Sequence, residues 1–242
     1  ANISGFYGDR LTAAREMLEG GRVDFLTGDY LAELTMAILY KAKSKNPAAG
    51  YARTFLTQMK DVLALCIKKG VKVVVNAGGL NPRGLADALQ QLAGELEVQP
   101  KIAYIEGDDL LPRLTDLQRQ GVAFKHLDRN LTLAASKMPV VSANAYLGCW
   151  GIVKALQRGA DIVVTGRVAD TSLVMAPAAY HFGWQKNDWN ALAGAATAGH
   201  IIECSGQATG GNYSLHAEVS SYKNLGFPIA ELYADGSSVI TK

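Results

Sequence analysis

Three kinds of residue in this sequence could do chemistry, and most follow directly on a short apolar run. Carboxylates come first. Asp29, Asp108, Asp109 and Asp170 could each act as a general base or help to hold Mg²⁺, with Asp108 and Asp109 the expected proton carriers and Asp9 a candidate for substrate binding. Hydrogen-bond donors come second. The stretch "VVVNAGGLNPRGL" (73–85) sets Asn76, Gly78, Gly79 and Asn81 ahead of a helical run. Such a loop could bring backbone and amide donors close to a phosphate or an oxyanion. Asn144 adds another amide, and Arg167 a guanidinium able to clamp a carboxylate or phosphate through two hydrogen bonds. The third kind lies in "GHIIECSGQATGGN" (199–212), where His200, Glu203 and Cys204 share one face if the segment is helical. His200 with Glu203 could ligate a metal or form an acid–base pair. Gly210 and Gly211 then make a further glycine loop able to approach a ligand.

Each position also has a plainer reading. Gly, Asp and Asn are common in strand-to-helix turns, where they cap the following helix. A buried His–Glu pair can simply satisfy itself. Capping, however, needs neither Arg167 nor the doubled Asp108-Asp109. The same polar pattern follows six separate apolar runs, which points to a shared cleft. Neither GxGxxG nor GxxxxGK(S/T) is present, so there is no NAD fingerprint and no P-loop. HExxH and paired CxxC motifs are absent too.

The elements that must position these residues alternate. "VDFLT" (23–27), "VKVVVN" (71–76), "KIAYIE" (101–106), "PVVSA" (139–143) and "DIVVTG" (161–166) read as strands, and "VAFKHL" (122–127) reads ambiguously as another. "LAELTMAILYKAK" places Leu31, Leu34, Ile38 and Leu39 on one helical face, and "FLTQMKDVLALCIKKG" reads as a helix ending at Gly70. Helices near 83–93 and 147–158 and a short one ending at Gly121 complete the alternation. Near-continuous β-branched runs between helices predict a three-layer α/β fold, with a mostly parallel sheet covered on both faces. "AELYADGSSVITK" predicts a C-terminal β-hairpin around Asp235-Gly236. In such a sheet ligands bind beyond the carboxyl ends of the strands, which is where the polar residues fall. The amino end reads as entering near the end of a strand, and the hairpin's second strand is barely complete.

The 242 residues are expected to form a single α/β domain. The net charge of +2 comes from mixed signs without a basic block, which argues against nucleic acid and anionic membranes as partners. No apolar run approaches the roughly 20 residues of a membrane span. Cys66, Cys149 and Cys204 are odd in number and widely spaced, suiting a reducing compartment and hence a cytoplasmic or organelle-matrix location.

These loops, in this order, resemble the acyclic terpene utilisation (AtuA) family. The matching stretches are "GFYGDR", "VDFLTGDYLAELTMAIL", "NAGGLNP", "EGDDL", "NAYLGCWGIVKAL", "GADIVVTGRVADTSLVMAPA", "HFGW", "GHIIECSGQATGGNY" and "DGSSVITK", which span nearly the whole chain. Family members usually carry a full first strand before the GFYGD loop. They also run on past this C-terminus, often into a small ferredoxin-like domain, so the chain resembles the N-terminal part of a longer architecture. The resemblance implies a role in catabolism of acyclic terpenoids such as citronellol and geraniol, which proceeds through branched acyl-CoA esters. A hydratase or lyase step on such an ester is the expected activity. The expected partners are a small-molecule, CoA-linked substrate and either a second copy of the chain or a C-terminal domain. The opposing expectation is a non-catalytic subunit or ligand-binding module completed by another chain. The resemblance assigns no catalytic residues, so the site candidates rest on the residues themselves.

Overall fold

The computed structural model describes residues 1–136, 139–223 and 225–242. Five strands form one sheet: β1 (Asn2–Ser4), β2 (Phe25–Gly28), β3 (Lys72–Val75), β4 (Ile102–Ile105) and β5 (Ile162–Thr165). Every pairing in it is parallel, in the order β1-β2-β3-β5-β4. Eight α-helices accompany them among the described residues: α1 (Ala13–Gly20), α2 (Glu33–Lys45), α3 (Arg53–Lys69), α4 (Pro82–Glu95), α5 (Leu114–Arg119), α6 (Trp150–Gln157), α7 (Ser172–Phe182) and α8 (Trp189–Ile202). β6 (Ile229–Leu232) and β7 (Ser238–Thr241) form the expected antiparallel hairpin. None of the helices is long and apolar enough to cross a membrane.

Strand order dictates the layers. Parallel crossovers are right-handed, so steps in one direction put their helices on one face of the sheet. β1, β2 and β3 step in one direction, and α1, α3 and α4 pack with Val73, Val75, Ile162 and Val164 on one face. β5 returns to lie between β3 and β4. The opposite face therefore receives α6, α7 and α8, packed on Val74 and Val163. Central strands are covered on both sides, which is why "VVV" and "IVV" show no polar alternation. Helix α3 ends where its sequence suggests, with Gly70 in the left-handed region at φ 69°.

Three expectations fail in whole or in part. Residues 139–143 form no strand, and Val140 and Val141 are exposed. Its end instead runs beside the β4 loop, where the Ala143 carbonyl accepts from Leu110 N–H and Ala145 N–H donates to the Asp108 carbonyl. Residues 122–127 contribute only an isolated bridge between Lys125 and Thr132. The expected α2 face holds only in part: Leu31 and Leu39 are buried, but Leu34 is 63% exposed and Ile38 is exposed as well. Met36 and Leu39 of α2 are buried together with Leu31, which precedes the helix, and Leu80 of the β3 loop packs against them.

Candidate functional site

Connections leaving β3 and β5 run to opposite faces, so these neighbouring strands part at their carboxyl ends. A ligand crevice is expected at such a switch point.

The β3 loop is spent on construction. Asn76 is fully buried; its Oδ1 accepts from Tyr30 N–H at 2.7 Å and its Nδ2 donates to Asp29 Oδ1 at 2.6 Å. Gly78 N–H donates to the Thr165 carbonyl at 3.0 Å, and Gly79 N–H to the Asn76 carbonyl at 3.1 Å. A Cβ at Gly78 would lie 2.5 Å from the Thr165 oxygen, which explains the glycine. Asn81 caps α4 by accepting from Gly84 N–H and donates to the carbonyls of Ala48 and Ala49. These donors face protein, and the loop's close approach is to β5.

Asp108 is likewise a brace. Its Oδ2 accepts from Arg167 N–H at 2.8 Å and Asn144 Nδ2 at 2.9 Å, and both carboxylate oxygens would lie 2.6 Å from a Cβ on Gly166. Asp109 accepts from Leu111 N–H at the surface. Asp9 accepts from Gly5 N–H and Ser205 Oγ, tying the first loop to the chain beyond α8. Gly210 and Gly211 form a turn against Leu225, with Gly211 N–H donating to the Gly206 carbonyl.

What converges is a different subset. Carboxylate oxygens of Asp29, Asp170 and Glu203 lie within 4.8 Å of one another. Asp29 follows β2, Asp170 follows β5, and Glu203 arrives from the end of α8. Burial, then the charge of Asp170, pushes the Asp29 carboxyl up to about 7, against the opposing hydrogen bonds from Asn76 and Leu31. Glu203 is also pushed up to about 7, first by burial and then by Asp170, with Arg167 working against them. Its side chain is 15% exposed, and its Oε2 is buried without a hydrogen-bond partner among the described residues. His200 stands 3.7 Å from Glu203 Oε1 but is 79% exposed, so this pair is a loose surface contact at the rim. The Cys204 thiol is raised by burial and by Glu203, which disfavours a thiolate nucleophile.

Arg167 supplies the positive charge. Its Nη1 donates to Asp170 Oδ1 at 2.9 Å and to the Leu31 carbonyl at 3.3 Å, and its Nη2 donates to Tyr146 Oη at 2.9 Å. The guanidinium carbon lies 4.4 Å from the centre of the Tyr146 ring. Tyr146 Oη donates in turn to Glu33 Oε1 at 2.8 Å. Tyr146 and Glu33 thus cover Arg167, a role foreshadowed only by their places just after Asn144 and one turn after Asp29. A cleft of about 480 Å³ lies at the amino end of β2 between α7 and the hairpin. None of the candidate residues lines it, whereas Gly79, Asn81, Asp108 and Asp109 line a cavity of about 220 Å³ beside the β4 loop; chemistry rather than volume selects the carboxylate cluster.

The cluster can share a proton between carboxyl groups, or its three oxygens could ligate a divalent cation. The chain matches the family described as acyclic terpene utilisation family protein AtuA over residues 1–242, and it belongs to that family. The family name implies a role in acyclic terpene utilisation. No curated protein and no solved structure matches the chain.

Proposed function

We propose that this member of the acyclic terpene utilisation family is an enzyme of acyclic terpenoid catabolism whose proton-transferring centre is Asp29, Asp170 and Glu203. One observation carries the reading: three carboxyl groups meet at the switch point of the sheet, two of them held near neutrality, beside one buried arginine. A general acid or base works best when its pKa lies near the working pH. Mutual repulsion keeps one member ionised while another stays protonated, so the cluster offers an acceptor and a donor at once.

That pairing suits addition of water to a carbon–carbon double bond, or the reverse. In the forward direction a carboxylate takes a proton from water as the water oxygen bonds to one alkene carbon. The neighbouring carboxylic acid gives its proton to the other carbon, and the lyase direction retraces both transfers. The substrate class is a branched isoprenoid acid or its CoA thioester, whose carbonyl stabilises negative charge developing on the adjacent carbon. Arg167 serves as a positioning residue, because its guanidinium already holds Asp170, Leu31 and Tyr146. A substrate carboxylate would reach it only after Tyr146 moved.

A bound divalent cation is the second reading, favoured by the three converging oxygens. Asp29, Asp170 and Glu203 would each supply one carboxylate oxygen to it, and the cation would act there as a Lewis acid on a carbonyl or water oxygen.

The test is turnover of a panel of branched, unsaturated acyl-CoA esters and their free acids, with Mg²⁺ or a chelator, by the parent chain and Glu203→Gln. The proposal expects hydration of at least one substrate and a loss of about 10²- to 10⁴-fold in kcat for Glu203→Gln with KM little changed. Unchanged turnover in Glu203→Gln removes Glu203 from the reaction. Activity lost to the chelator selects the cation reading. Neither turnover nor thermal shift with any substrate would favour a non-catalytic module.

A further inference from the structure

We infer that the outer edge of β4 is a self-association surface, where two copies of this chain pair antiparallel and join their sheets. β4 ends the order β1-β2-β3-β5-β4, so among the described residues one side of it has no neighbouring strand. The opposite edge is not bare, because Asn2 N–H of β1 donates to the Pro228 carbonyl at 3.0 Å. At β4, Lys101 faces β5: its N–H donates to Asp161 Oδ2 and its carbonyl accepts from Ile162 N–H. Alternation along the strand then turns the N–H and C=O groups of Ile102 and Tyr104 outward. Among the described residues no hydrogen bond reaches those outward groups.

Edge strands are commonly blunted by proline, a central lysine or a bulge. "IAYI" carries no proline or lysine, and it runs in regular register from Ile102–Ile162 to Ile105–Thr165. Tyr104 is 40% exposed, whereas Val163 and Val164 beside it in the sheet are buried. A second copy complements this edge. Antiparallel pairing about a two-fold at Ala103 sets Ile102 of each copy opposite Tyr104 of the other, giving two β-branched–aromatic pairs on one face. The same register brings the Lys101 end of one strand alongside the Glu106 end of the other, so opposite charges meet at both ends. Lys154 and Arg158 flank the strand on the α6 side. Two copies paired here bring these like charges together, so added salt should strengthen the association.

The experiment is sedimentation of the full chain over a concentration series, with three variants. The parent should be a dimer that dissociates on dilution. Tyr104→Pro removes an outward N–H and leaves the ladder to β5, so association should weaken by about tenfold or more with thermal unfolding unchanged. Tyr104→Lys is the alternative if the proline variant fails to fold. Ala103→Cys, in a Cys204→Ala background, should form a covalent dimer on mild oxidation, because the two copies of this residue face each other in a non-hydrogen-bonded pair. A monomer at every concentration, a dimer indifferent to Tyr104→Pro or Tyr104→Lys, or a dimer that Ala103→Cys does not cross-link would each overturn the inference.

Discussion

Asp29→Asn should make the protein more stable above neutral pH and leave it unchanged in acid. Asp29 is buried, and its Oδ1 accepts from Asn76 Nδ2 and Leu31 N–H. An asparagine oxygen can keep both bonds. The carboxyl is raised from 3.8 to about 7, first by burial and next by Asp170. Between those values the unfolded chain has released the proton that the folded chain keeps, so stability is fully present below about pH 4 and falls as the pH rises to about 7. At about 1.4 kcal/mol for each pH unit between them, ionising Asp29 in the fold costs on the order of 4 kcal/mol above neutrality. Asparagine has no such cost. Urea unfolding at about pH 4, 6 and 8 should show Asp29→Asn equal to the parent at the lowest pH and about 4 kcal/mol more stable at the highest. Glu203 is raised for similar reasons, so the parent keeps some pH dependence in the variant. Both groups feel Asp170, and their costs overlap rather than add. Parallel pH profiles for parent and variant would refute the argument, because Asp29 would then be ionising in the fold as it does in the unfolded chain.

Other substitutions test the parts separately. Arg167→Met removes the cation beside three carboxylates and should cost about 3 kcal/mol near neutral pH, with the loss shrinking in acid as those groups take up protons; urea unfolding at two pH values reads this. Gly78→Ala forces a Cβ to within 2.5 Å of the Thr165 oxygen. It should cost about 2 kcal/mol and lower Tm by about 6 °C. An unchanged Tm with impaired ligand binding would restore the view of that loop as an anion cradle.

Much of the scaffold could be read from local chemistry. "KVVV" and "IVVT" had to be buried on both faces, Gly70 had to end a helix, and Asp235-Gly236 had to turn a hairpin. "PVVSA" shows where such reading stops. In a parallel sheet a strand is recognised only as a short apolar run, and the same run can stay outside the sheet with its valines exposed. Leu34 and Ile38 mislead for a related reason, because helical periodicity gives a face without saying what covers it. At the site, residue type and position after a strand marked Asp29, Arg167 and Asp170. The same rule marked Asp108, Asn76 and Asn81, whose polar atoms brace loops instead. Nothing local separates the two groups, because the distinction depends on which partner each side chain finds across the sheet. Glu203 was marked only through its spacing from His200. Its actual neighbours, Asp29 and Asp170, are set by the packing of α8.

The Asp29–Asp170–Glu203 cluster should hold an exchangeable proton at neutral pH. A carbon-detected NMR titration of the ¹³C-labelled carboxyl groups tests it most directly, with Asp29→Asn and Glu203→Gln assigning the signals. Two coupled carboxyls should titrate at about 7, each altered when the other is replaced. Carboxyl signals that all finish titrating below about pH 5, as unperturbed side chains do, would contradict it.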